Sequence, residues 1–131
     1  KHINDKHALV NYACIFSQSS EEYHQLVDAA RGLGKIVKVT PTGLLFRIRP
    51  VLTVAGMLTL LKIRLPDSTR PELGDADFTI SDFLKFKEKY LYKPGFKLIR
   101  RPDMEMVELM DLEFDVRAYF SNPPLDKQLP L

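Results

Sequence analysis

Cysteine occurs once, at Cys14, which excludes an intrachain disulfide framework and gives an extracellular setting no support. An excess of one charge is missing too. With 19 basic and 17 acidic residues, the formal net charge is +2, too balanced to point to nucleic acid or an anionic membrane. No apolar run approaches the length needed to span a bilayer. The opening residues, 1–7, lack the apolar stretch of a signal peptide. There is no Gly-rich phosphate loop, no Ser-His-Asp signal and no CxxC pair. The chain has 131 residues, 45% of them hydrophobic and 27% charged. Those proportions fit one ordered domain around one core, and a reducing cytoplasm is the expected setting.

The local patterns build that domain from alternating elements. Residues 10–16 are rich in strand formers. Ser19 and Glu22 then make a capping box, and Tyr23, Leu26, Val27 and Ala30 follow at helical spacing. Gly32 and Gly34 offer left-handed stops. Residues 35–40 and 44–49 read as a hairpin around the turn Pro41-Thr42-Gly43. Residues 50–56 read as a connection and residues 57–65 as a long strand. Residues 66–74 are a polar, proline-containing linker. The same order then returns: a strand at 75–80, a helix capped by Ser81 through about Leu91, and strands at 96–101, 104–110 and 114–120. The tail, 121–131, is expected to be irregular. The chain therefore reads as one α+β domain with two βαβββ modules, at 10–65 and 75–120. One bare sheet face per module must be covered by the other module or by a second copy of the chain.

Strand parity sorts the side chains by face. Ala13 and Ile15, Leu61, Ile63 and Leu65, Phe78 and Ile80, and Val116, Ala118 and Phe120 should meet the helices. Tyr12, Cys14 and Phe16 should face the opposite way, into a shared cleft. Leu60, Lys62 and Arg64 join them there, as do Asp77 and Thr79, and Asp115, Arg117 and Tyr119. Glu105 and Glu108 fall on opposite faces and cannot work as an acid–base pair from one strand. Cys14 reads as a small apolar strand residue. His24 reads as solvated, as do Lys85, Lys87, Lys89, Arg100 and Arg101.

A doubled βαβββ order of this length resembles the vicinal-oxygen-chelate superfamily, which includes glyoxalase I, bleomycin-resistance proteins and extradiol dioxygenases. The stretch from Leu52 through Leu65-Pro66 and Arg70-Pro71 to Asp77-Phe78-Thr79-Ile80 is similar to the small YecM-like branch. The resemblance implies a glyoxalase-like curved sheet with a shared cleft. It also implies metal ligands on the first and fourth strands of each module. In this sequence those positions hold Tyr12, Arg64, Asp77 and Arg117. Only Asp77 is a usual ligand, and a guanidinium has no lone pair to offer. No metal and no cofactor are therefore expected.

Two readings of the cleft charges stay open. Arg64 can pair with Asp77, and Arg117 with Asp115 or Asp77, filling the metal's place with ion pairs. Alternatively one guanidinium stays available for a carboxylate or phosphate beside an aromatic wall. The expected ligand-binding set is Tyr12, Lys62, Arg64, Asp77, Thr79, Arg117 and Tyr119. The expected partners are a small anionic ligand and either a second copy of the chain or the pairing of its own modules. No nucleic acid and no membrane are expected. The leading function is thus a glyoxalase-fold binding or accessory domain of unassigned activity. A metal-dependent lyase, isomerase or dioxygenase is the alternative, using Asp77 with His7 and Glu108. A purely structural interaction module is the third class.

Overall fold

The computed structural model describes residues 1–4 and 7–128; the last three residues of the expected tail lie outside the described residues. The elements run β1 (Leu9–Phe16), α1 (Ser20–Leu33), β2 (Gly34–Thr40), β3 (Gly43–Thr53), β4 (Gly56–Arg64), β5 (Gly74–Thr79), α2 (Phe83–Tyr90), β6 (Phe96–Arg101), β7 (Met104–Met110), β8 (Val116–Asn122) and α3 (Leu125–Gln128). The chain is α+β. Its strands form a single curled, mixed sheet in the order β2-β3-β4-β1-β5-β8-β7-β6. The pairs β1–β4 and β5–β8 are parallel, and an antiparallel β1–β5 ladder joins the two halves. Among the described residues no helix is long and apolar enough to cross a membrane.

Both long helices lie on one face, each over its own half. The stripe on α1 packs Val27 and Ala30 against Phe46, Ile48, Leu61 and Ile63, with Ala13 and Ile15 beside them. On α2, Phe83, Phe86 and Tyr90 pack against Val107 and Phe120. Phe120 sits 4.6 Å from Phe86 and 5.5 Å from Phe78, centroid to centroid. Burying side chains of this size contributes about 1.5–3 kcal/mol each. Parity therefore places the apolar positions of β1, β4, β5 and β8 as their spacing implies. Two positions depart from this: Leu65, just past the end of β4, is 42% exposed, and Val116, which opens β8, is 52% exposed.

The element boundaries correct several expectations. Ser19 does cap α1, accepting from the Glu22 amide at 3.0 Å. Glu22 completes the cap on the Gln18 amide, at 3.2 Å. The helix runs on past Gly32 to Leu33, and Gly34 is not left-handed: its φ is −177°. Gly34 is required for another reason. A Cβ there would lie 1.9 Å from the Arg47 carbonyl oxygen, so only glycine lets β2 and β3 close up at this point. The cap of α2 is Asp82 rather than Ser81, its carboxylate accepting from the Lys85 amide at 3.1 Å. Residues 50–53 continue β3 instead of leaving the sheet. The register slips between Arg47 and Val51, and that irregularity accommodates Pro50, which has no amide hydrogen to give. The turn before β8 is longer than expected. Asp111 accepts from the Glu113 amide and the Phe114 amide closes onto the Asp111 carbonyl, so the strand starts at Val116 and extends to Asn122. Within the tail, Leu125–Gln128 form α3 instead of irregular chain.

Candidate functional site: the sheet face opposite the helices

Cross-strand registers bring the polar residues of this face into rows. One row runs Leu45, Lys62, Cys14, Asp75, Arg117, Met110 across six strands. A second runs Tyr12, Asp77, Tyr119, Glu108. Phe16 and Arg64 begin a third. All seven sequence-predicted residues lie on this face, but they divide into two groups.

The first group gathers where the linker between β4 and β5 passes the end of β1. The Phe16 amide donates to the Leu73 carbonyl and the Ser17 amide to the Arg64 carbonyl. The linker thus lies against the sheet. From it, Arg70 pairs with Glu72, and the Glu72 carboxylate, 3% exposed, lies 2.9 Å from the Arg117 Nε. Arg117 also reaches Glu108 at 3.4 Å, and the Tyr119 hydroxyl donates to Glu108 at 2.9 Å. Burial and the bond to Glu108 push the Tyr119 hydroxyl up to about 12. Arg64 pairs with Asp67 at 3.3 Å. Its guanidinium lies 4.8 Å from the Phe16 centroid, with that of Arg70 at 5.5 Å. The Lys62 ammonium donates to the Thr42 hydroxyl at 2.5 Å. Burial holds it below the ordinary lysine range.

Asp75 sits amid these groups. Burial pushes its carboxyl up to about 6, even though Arg70, Arg64 and Lys62 pull it down. Beside it, burial raises the Cys14 thiol to about 12 and raises the Tyr12 hydroxyl as well. Cys14 is therefore a protonated, buried thiol and not a nucleophile at neutral pH.

The second group surrounds Asp77, which is fully buried. Its carboxylate accepts from Ser121 at 2.6 Å, Asn11 at 2.9 Å and the Leu125 amide at 3.1 Å. Asn11 also reaches Thr79 at 3.0 Å. Burial raises the Asp77 carboxyl, while these donors oppose that shift. The three donors come from β1, β8 and α3, so Asp77 fastens the C-terminal segment over that end of the face.

The expected ion pairs are therefore replaced by others. Arg64 cannot reach Asp77, because Phe16 stands opposite Arg64 and Tyr12 opposite Asp77. Four residues along a strand is about 13 Å. Asp115 lies in the exposed turn ahead of β8, and Arg117 turns to Glu72 and Glu108 instead. Lys87 also departs from the solvated reading, pairing with Glu105 at 2.9 Å. Glu105 and Glu108 do fall on opposite faces.

Sequence reasoning passed over Asp67, Arg70, Glu72, Asp75, Asn11 and Ser121. Parity alone would have found Asp75, two residues before Asp77 on the same strand. Nothing in a polar linker marks Arg70 and Glu72 as turning inward.

The donor set implied by the resemblance does not fit a metal ion. Its single carboxylate, Asp77, is engaged by three hydrogen-bond donors, and two of its positions hold guanidinium groups. Of the other two residues suggested, Glu108 is bound by Arg117 and Tyr119, and His7 is exposed ahead of β1. Among the described residues, no group of three or more His, Cys, Asp or Glu side chains is placed to hold a metal.

No family model matches the chain, and no curated protein matches it either. A solved structure described as structural-genomics protein EC4020 superposes with a TM-score of 0.63 at 10% identity, covering 87% of this chain and 71% of that one. At that identity the likeness shows the fold alone.

Proposed function

We propose that this chain is a glyoxalase-fold domain of two βαβββ modules that binds a small anion in its cleft without a metal. The observation that carries the reading is the pair of guanidiniums flanking Phe16. Arg64 engages Asp67 through one donor, and Arg70 engages Glu72 through one donor. A guanidinium has five N–H donors in a fixed fork, so each keeps capacity for a carboxylate or phosphate. Phe16 offers its ring between them, and Lys62 adds a further cation on the same face. The β1–β5 ladder joins the two halves within one chain, which supports intrachain pairing of the modules as the source of the cleft.

Calorimetry with inorganic phosphate and with butyrate tests the reading. Saturable binding of either, weakened about tenfold or more by Arg64→Ala, is expected; that factor corresponds to one charge-assisted hydrogen bond of about 1.5 kcal/mol. Absence of binding for both anions, or one tightly held transition metal per chain in purified protein, would overturn it.

A further inference from the structure

Two charged side chains on this face, Lys62 and Asp75, form no ion pair among the described residues, although each feels the charges around it. Among the described residues, Lys62 bonds only the neutral Thr42 hydroxyl. Asp75 makes no hydrogen bond or ion pair among the described residues, and it is half-buried. The other cleft charges described above are engaged: Arg64 with Asp67, Arg70 with Glu72, Arg117 with Glu72 and Glu108, and Asp77 with its three donors. Leaving a partly buried charge unpaired is costly, and here one of each sign is left.

The two are not placed at random. They stand in the same cross-sheet row, one strand either side of Cys14. Adjacent strands lie about 4.8 Å apart, so the two backbones are separated by about 10 Å. The two form no ion pair with each other among the described residues, and Cys14 between them is short and uncharged. A simple anion held by Lys62 and Arg64 would be attracted at one end and would face the Asp75 carboxylate at the other. An amine alone would meet the reverse. A molecule with both charges satisfies both ends.

Building on the anion-binding reading above, we infer that the cleft takes a short zwitterion, its carboxylate on Lys62 and Arg64 and its ammonium on Asp75. The molecule lies across Cys14, beside the Phe16 ring. The specificity comes from Asp75: it discriminates against the same anion lacking an amine.

The experiment compares butyrate with 4-aminobutyrate, which differ by one ammonium group, in amide-shift NMR titrations of the full chain. The zwitterion is expected to bind about tenfold or more tightly than butyrate, the worth of one charged hydrogen bond. Shifts should centre on residues 14, 62 and 75. Asp75→Asn should abolish the preference while leaving butyrate binding intact or stronger. Lys62→Met should weaken both ligands. Equal binding of the two compounds by the native chain, or a preference that survives Asp75→Asn, would overturn the zwitterion assignment and leave the anion site standing. Binding of phosphate with neither organic acid would do the same. If phosphate, butyrate and 4-aminobutyrate all fail to bind, both proposals fall together.

Discussion

Replacing Asp75 by asparagine should make the protein more stable at neutral and alkaline pH, and the size of the gain follows from its surroundings. The carboxyl is raised from 3.8 to about 6, chiefly by burial. A shift of that size corresponds to about 3 kcal/mol of differential stability. Residual contact with solvent reduces the expected value to about 2 kcal/mol. The direction is set by linkage. Because the folded carboxyl holds its proton more tightly than the unfolded one, the protonated form stabilises the fold. That contribution is fully present below 3.8 and is lost as the pH rises through about 6. Above that the charged carboxylate acts as a penalty, which Asp75→Asn removes. Urea unfolding at about pH 4 and about pH 8 measures both ends. The variant should match the native chain at the acid end and exceed it by about 2 kcal/mol at the other, with an unchanged denaturant slope. A gain that is the same at both pH values, or a loss at about pH 8, would refute the reasoning. The first would mean that the gain is not linked to the charge of Asp75, and the second that a group in the folded protein satisfies its carboxylate.

Three other outcomes follow from the packing. Arg117→Ala strips the buried Glu72 and the largely buried Glu108 of their common cation and should cost about 3 kcal/mol in thermal or urea unfolding. Asp77→Ala removes the acceptor shared by Asn11, Ser121 and Leu125, and should cost about 2–4 kcal/mol. It should also raise amide exchange across residues 125–128, a signature that core loosening elsewhere would not give. Gly34→Ala places a methyl group against the Arg47 carbonyl and should destabilise the fold by about 2 kcal/mol or more, measured as a lowered urea midpoint.

The fold was legible where periodicity and packing agree. Residues 96–101 and 104–110 read as strands because their apolar positions alternate and Pro102-Asp103 turns the chain between them. The helix faces were equally plain, since Val27 and Ala30, or Phe86 and Tyr90, recur at the spacing that buries one side. Boundaries governed by a single contact were not visible. Gly34 looks like a left-handed stop but serves a close approach between backbones. Phe114 looks like a strand residue but is half exposed in a turn organised by Asp111. The candidate site was legible to the same extent. Alternation sent Lys62, Arg64, Arg117 and Tyr119 to the right face. It said nothing of how far apart Arg64 and Asp77 lie along β1, because that distance depends on which strand neighbours which. Arg70 and Glu72 belong to a segment without period, and only the folded path turns them inward.

That path has a consequence for how such a domain can change. Since β1 lies between β4 and β5, the chain leaving Arg64 must step over the end of β1 to reach Gly74. The crossing segment supplies Asp67, Arg70 and Glu72 to one end of the sheet face opposite the helices, yet it belongs to no strand. The charges gathered there and the architecture beneath them are thus encoded in different stretches of chain. Substitutions within those few residues can change the charges presented on that face, while the scaffold carries on unaltered.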